Sequence, residues 1–218
     1  MTWSDGFCRT CRPVGKAAAK RNHEASNTRY TATVMASEVK TSTSHPIRVD
    51  FLPAEAVGLP GKIGLTFAPG KKAQGIAGDW DRDLTQDLQR LRTVYSVSML
   101  VSLVEDHELA SLQISELVKA AGAVELSVLR FPFADAGIPS AVEPLVALVD
   151  QILETTAAGQ NVVIHCRGGL GRTGLVAACC LIARGHEPTD AMRITRAARK
   201  AAIETRGQEA FVRGFKRR

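Results

Sequence analysis

The sequence predicts an α/β fold: a central, mostly parallel sheet flanked by helices. From about Ile47 onward, short apolar or β-branched runs alternate with stretches of helical period, the order that places helices on the faces of a parallel sheet. The run Gln160 to His165 is apolar at successive positions, as a strand covered on both faces must be, and it leads through a glycine-rich turn into a mostly apolar helix. With 218 residues and 45% apolar content, the chain can fill one domain with a full core.

Residues 1–45 are rich in Thr, Ser, Ala, Lys and Arg and lack a sustained period, so they read as a flexible basic extension, and the folded domain is assigned to residues 46–218. That composition also fits a start of translation at Met35. Ile47 to Leu52 and Lys62 to Phe67 read as strands separated by the turn Gly58-Leu59-Pro60-Gly61. Leu84, Leu88 and Leu91 mark a helix over Asp83 to Leu91, with Asp81 or Asp83 as its cap. Ser98 to Val104 is a buried strand, Glu108 to Ala121 a helix and Val124 to Phe131 another strand. Ala141 to Thr156 carries Val142, Leu145, Val146, Val149 and Ile152 on one helical face. After the strand Gln160 to His165 come a helix from Thr173 to Arg184, closed by Gly185, and two more over Pro188 to Ile203 and Gln208 to Phe215.

The net charge of +6 favours anionic partners without separating a phosphorylated substrate from nucleic acid or a membrane surface. Arg193, Arg196, Arg199 and Lys200, with Arg206, Arg213 and Lys216 beyond, read as a solvated basic helix face. No apolar run approaches the roughly 18 residues of a membrane span. With 5% aromatic residues, the chain lacks the stacking platforms of a nucleic-acid reader, so no nucleic-acid partner is expected. The cysteines are Cys8, Cys11, Cys166, Cys179 and Cys180, an odd count without an apolar leader core, which points to a reducing, cytoplasmic setting. Cys8-x-x-Cys11 lacks a second pair at finger-like spacing, so neither a metal nor a cofactor is expected.

The stretch from Val162 to Gly174 overlays two phosphate-binding signatures. Gly169-x-Gly171-x-x-Gly174 spells a dinucleotide fingerprint, but it stands late in the chain, and Asp190, near the distance required of a ribose-binding acid, opens a helix where a strand should end. Cys166-x5-Arg172 puts a nucleophile and an anion clamp on one strand-to-helix loop. Such a loop turns backbone N–H groups of Arg167, Gly168, Gly169, Leu170 and Gly171 around an anion, with a helix dipole behind them. Gly168, Gly169 and Gly171 are read as glycines because side chains there would obstruct that nest or forbid its dihedrals. Arg172 supplies a bidentate grip on two phosphate oxygens. The same field favours the thiolate form of Cys166. Thr173 can donate to the sulfur, and His165 either orients the loop or is a buried core histidine.

The string His165-Cys166-x-x-Gly169-x-x-Arg172-Thr173 resembles the signature of cysteine-dependent protein tyrosine phosphatases, nearest the dual-specificity group and its kinase-associated phosphatase branch. The likeness extends through Leu59-Pro60-Gly61, Trp80 to Leu84, Phe133-Ala134-Asp135-x-Gly137-x-Pro139, Leu175 to Cys179, and Ala202-Ile203-Glu204-Thr205 with Gln208. It implies the fold of that superfamily, no cofactor, and hydrolysis of phosphate monoesters, in proteins or elsewhere, through a cysteinyl-phosphate. It also makes Asp135 the general acid. Independently, Asp135 is the only carboxylate between Leu126 and Pro139, on a loop able to cover the pocket. Gln208 either helps position water, by the same resemblance, or is a solvated residue at a helix start. Arg167 departs from the branch, which usually has an aromatic residue there, as does Ser140, which replaces an acidic one; both make the mouth more basic.

The alternatives are a phosphatase of phosphoinositides, inositol phosphates or RNA 5′-triphosphates, and a module that binds phosphate without turnover. The usual lack of a loop acid in the RNA enzymes argues against them, and the presence of Cys166, Arg172 and Asp135 together argues against a mere binder. The sequence leaves physiological substrate and oligomeric state open.

Overall fold

The computed structural model describes residues 39–74 and 78–216. Most of the 1–45 extension lies outside the described residues, including Cys8, Cys11 and Met35. The elements, in order, are β1 (Asp50–Phe51), α1 (Ala54–Val57), β2 (Ile63–Phe67), β3 (Lys72–Ala73), β4 (Trp80–Asp81), α2 (Leu84–Thr93), β5 (Val97–Ser102), α3 (Asp106–Ser111), α4 (Leu117–Ala123), β6 (Ser127–Arg130), α5 (Val142–Ala157), β7 (Asn161–Cys166), α6 (Gly171–Ala183), α7 (Pro188–Ala198) and α8 (Arg206–Gly214).

The main sheet runs β1-β2-β7-β5-β6, with β1 antiparallel to β2 and every other pair parallel. β7 is the middle strand, so the glycine-rich loop leaves the sheet at its centre, where open α/β sheets bind ligands. Alternation along β7 sends its neighbours to opposite faces. Val162, Ile164 and Cys166 join a core built with α5, α6, α7 and α8, including Leu145, Val176, Met192 and Val212. Val163 joins a second core with Leu88 and Leu91 of α2, Leu109 of α3 and Leu117 of α4. Burial on both faces explains why β7 reads as an unbroken apolar run.

Three expected elements come out differently. The strand expected from Ile47 shortens to Asp50–Phe51. The helix expected over Glu108 to Ala121 is two, α3 and α4, because Leu112, Ile114 and Leu117 are all buried and one straight helix cannot aim positions 112 and 114 at the same core. Gln113, at φ 57°, makes the break. α7 stops at Ala198, short of the expected Ile203: Ala201 and Ile203 take positive φ, so Ala202 and Ile203 fold under α6, and the Ile203 N–H donates to the Leu170 carbonyl. Of the two caps offered for α2, Asp83 is used, its side chain accepting from the Gln86 N–H.

Residues 39–45, assigned by composition to the extension, are packed against the body. Lys40 bridges to Trp80, and Ser42 is buried, bonded to the backbone of Asp83. The cause is Arg82, 1% exposed, whose side chain reaches the carbonyls of His45 at 2.7 Å and Thr41 at 3.4 Å while gripping Asp87 through two bonds of 2.7 Å. Asp87 in turn accepts from the Gly70 N–H. A buried ion pair broken on one side leaves an uncompensated charge. Asp87→Ala should therefore lower unfolding free energy by about 3–5 kcal/mol in urea titration. A loss below about 1 kcal/mol would mean that this pair does not anchor the segment.

Candidate active site

β7 ends at Cys166 and α6 begins at Gly171, so the four residues between them form the whole strand-to-helix loop. Gly169 lets this loop lie against β2: its φ is 73°, and a Cβ there would come within 2.2 Å of the Thr66 carbonyl oxygen. At Gly171 a Cβ would meet Glu204 Oε2 at 2.5 Å and the Gln208 amide at 2.9 Å. Gly168 does not fit the steric demand expected of it, because a Cβ there meets open space and its φ is not positive. The Gly169 N–H donates to Cys166 Sγ at 3.2 Å, turning the loop inward over the sulfur.

Arg172, on the first turn of α6, is fully buried. Its Nη1 and Nη2 donate to the two oxygens of Glu108 at 2.6 and 2.8 Å, and Nη1 also reaches the carbonyls of Phe133 and Leu103. Nη2 stands 2.9 Å from Asp135 Oδ1. Burial alone would push the Glu108 carboxyl up, but its bonds to Arg172 and the Glu105 backbone hold it below the ordinary carboxylate range. Burial likewise opposes the charge on Arg172, and the Glu108 bond together with the Cys166, Glu108 and Asp135 charges outweighs it. Two buried polar atoms of this turn, Arg172 Nε and Thr173 Oγ1, have no hydrogen-bond partner. Unfilled donors beside a buried guanidinium are what an oxyanion would satisfy.

Asp135 arrives on the loop after β6. Its neighbour Ala136 has φ 56°, and the Gly137 N–H closes a turn on the Ala134 carbonyl. The loop is latched from α8: Gln208 Nε2 donates to the Gly137 carbonyl at 3.1 Å, and Thr205 Oγ1 to the Ala136 carbonyl at 3.4 Å. Gln208 is fully buried and completes a capping box with Thr205, which removes the reading of it as a solvated helix-start residue. Its Oε1 also accepts from the Glu204 N–H, and the Glu204 carboxylate takes the Gly171 N–H at 2.8 Å.

Cys166, Arg167, Gly168, Asp135, Glu204 and Lys71 line one cavity of about 250 Å³. Arg167 is exposed at its mouth. His165 is fully buried and pushed down to about 4 by burial, so it is neutral at pH 7; its Nδ1 lies 3.4 Å from the Cys166 carbonyl and its Nε2 has no partner. It points away from the cavity side of β7, opposite to Cys166. The two helix cysteines are inert: burial pushes Cys180 up to about 12 and Cys179 well above its ordinary value.

Glu108 and Arg199 were not legible as site residues. Glu108 lies 64 positions before Arg172 and reads only as part of a helix. Arg199 was grouped with a solvated basic face, yet it clamps the loop: Nε donates to the Gly169 carbonyl at 2.5 Å, Nη2 to that of Gly168 at 3.2 Å, and Nη1 to Asp50 at 2.6 Å. No local signal sets this arginine apart: Pro188 marks only the start of α7, and the break after Ala198 is visible only in the folded chain.

Residues 80–212 match the family described as Swiss Army Knife protein, DSP-PTPase phosphatase domain (PTP-SAK). The mouse protein tyrosine phosphatase domain-containing protein 1 is 40% identical over 89 residues, a match spanning 39% of this chain and only 11% of that protein. Rat cyclin-dependent kinase inhibitor 3 is 25% identical over 176 residues, covering 78% of this chain and 79% of the relative. Among solved structures, kinase associated phosphatase with serine in place of its catalytic-site cysteine superposes with a TM-score of 0.70 at 24% identity, over 77% of this chain and 92% of that one. The likeness bears out the expected fold, a mostly parallel sheet with flanking helices.

The depressed Glu108 carboxyl gives a pH test. A carboxyl with a lowered folded pKa contributes stability that is present above its unfolded value near 4.5 and is lost as pH falls through the folded one. Glu108→Gln should be less stable than the parent by about 3–5 kcal/mol at pH 7. The two unfolding curves, followed by circular dichroism, should converge as pH falls from the unfolded value near 4.5 through the lower folded one. A gap independent of pH would show that shape at position 108 matters and charge does not.

Proposed function

The chain belongs to the DSP-PTPase phosphatase family, and from that membership we propose that it hydrolyses phosphate monoesters of protein tyrosine, serine or threonine through a cysteinyl-phosphate intermediate. The observation that carries this reading is that Cys166 and Asp135 line one small cavity, with Asp135 held 2.9 Å from the guanidinium of Arg172, whose Nε is buried and unfilled.

Cys166 Sγ attacks phosphorus in line with the ester oxygen, forming the S–P bond as the P–O bond breaks. Arg172 and the loop N–H groups from Arg167, Gly168 and Leu170 hold the non-bridging oxygens as charge builds on them, whereas those of Gly169 and Gly171, expected among them, are engaged by Cys166 Sγ and by the Glu204 carboxylate. Thr173 Oγ1, buried and unpartnered, is assigned to donate toward the sulfur as it leaves. Asp135 gives its proton to the departing oxygen, which leaves as an alcohol or phenol. A water then attacks the phosphorus of the thiophosphate, Asp135 takes the water's proton, the S–P bond breaks and inorganic phosphate leaves. Gln208, holding the Asp135 loop through the Gly137 carbonyl, acts in this second step by fixing the loop over the incoming water. His165 serves as a neutral structural residue of β7.

Among the described residues, no helix is long and apolar enough to cross a membrane. We place the activity in the cytoplasm, where a free thiol stays reduced, and assign it a phosphorylated substrate and no nucleic-acid partner.

Cys166→Ser should abolish turnover of every phosphate ester, and measurable residual hydrolysis would remove the covalent mechanism. Asp135→Asn should depress kcat on alkyl phosphates by about 100-fold or more, and far less on p-nitrophenyl phosphate, whose leaving group needs no proton. Equal losses on both substrates would move the general acid to another residue.

A further inference from the structure

Lys71 follows the Gly70 turn and reaches the cavity of Cys166 from the β3-β4 hairpin side. Its ammonium lies 4.1 Å from the centre of the Trp80 ring and 4.7 Å from that of Phe67. Three neighbouring cations have acids: Lys72 pairs with Asp81, Arg82 with Asp87 and Arg199 with Asp50. Lys71 has no carboxylate partner among the described residues, and the same holds for Arg167 on the facing loop. Burial first, then Arg82 and Arg167, bring the Lys71 ammonium down to about 8, with the Cys166 charge acting the other way. It is still mostly charged at pH 7.

Two aromatic faces hold this ammonium in place, so contact with an anion orders few additional torsions. A partly buried cation surrounded by cations is unfavourable until an anion joins it. The scissile phosphate is already accounted for by Arg172 and the loop N–H groups. Lys71, half-buried, and Arg167, exposed, line the same cavity as Cys166. We propose that Lys71, with Arg167, forms a second anion subsite that selects substrates carrying another phosphate or carboxylate next to the scissile phosphate. This rests on the cavity being a phosphate-ester site, and it names the substrate chemistry that site prefers.

The test compares inorganic phosphate with pyrophosphate, binding each to the full chain by calorimetry. Lys71→Met keeps a long side chain between Phe67 and Trp80 while removing the charge, and Lys71→Arg keeps the charge. The ratio of pyrophosphate to phosphate affinity should fall by about ten-fold in Lys71→Met, the worth of one charge-assisted contact, and be largely retained in Lys71→Arg. An unchanged ratio, or an equal fall in Lys71→Arg, overturns the proposal. Thermal unfolding of both variants checks that the hairpin is intact. Turnover then identifies the source of the second anion: kcat/KM should gain from a second phosphate, in a Lys71-dependent way, either on a doubly phosphorylated peptide or on an inositol bisphosphate. If the singly phosphorylated esters are hydrolysed and that gain is absent on both doubly phosphorylated ones, the proposal is overturned as well. Because binding needs no chemistry, a protein that shows the affinity ratio but hydrolyses no ester would refute the proposed function and leave the subsite standing.

Discussion

Removing the Arg172 guanidinium from water costs several kcal/mol unless its charge and donors are matched, and the way this chain matches them shapes the rest of the site. Glu108 accepts from both terminal nitrogens, the Leu103 and Phe133 carbonyls take further bonds, and Asp135 completes the outer side. Those partners come from the end of β5, from α3 and from the loop after β6, so one side chain fixes three segments relative to α6. The break between α3 and α4 leaves α3 as a short separate helix, and its capping box, in which Glu105 N–H is held by Glu108, fixes the carboxylate in place. What remains unfilled is Nε, the one nitrogen left for a ligand.

The strand order serves the same end. Placing β7 between β2 and β5 covers it on both faces, and the loop that follows is rigidified from two sides: Gly169 lies against Thr66 of β2, and Arg199 ties the carbonyls of Gly168 and Gly169 to Asp50 of β1. The carbonyls are thus held outward, which leaves the N–H side of the loop for an anion. The acid loop is positioned independently of the sheet, by Gln208 and Thr205 of α8, so the two halves of the site can be adjusted separately through different helices. Above them, Lys71 and Arg167 are cations without carboxylate partners among the described residues, whereas Arg172, Arg82 and Arg199 all have acids. The charge left uncompensated therefore lines the cavity of Cys166, where an incoming substrate meets it.

The alternation of strands and helices, the strand leading into the cysteine loop, and the residues of that loop could be read directly, because each is a local property: period, burial on both faces, and contiguous chemistry. Asp135 was legible for a similar reason, as an isolated carboxylate on a loop bounded by proline and glycine. The lengths of helices were not. Nothing local says that Ile114 must be buried beside Leu112, or that Ala202 and Ile203 must fold under α6, so the predicted helices ran too long at both places. Composition also placed the start of the packed body too late, because Ser42 and His45 look like extension residues until Arg82 is seen to hold that segment.

The sequence by itself determined that this chain is an α/β protein with a cysteine and an arginine on one phosphate-sized loop, since nine adjacent residues suffice to define that chemistry. Only the tertiary structure decided which distant groups complete it. Glu108 and Arg199 make their contacts across long separations in the chain, and such contacts depend on which surfaces the folded layers press together. Arg199 is the clearest instance: by period it belongs to a basic helix face, but the chain leaves the helix at that residue and its side chain turns onto the loop that carries Cys166.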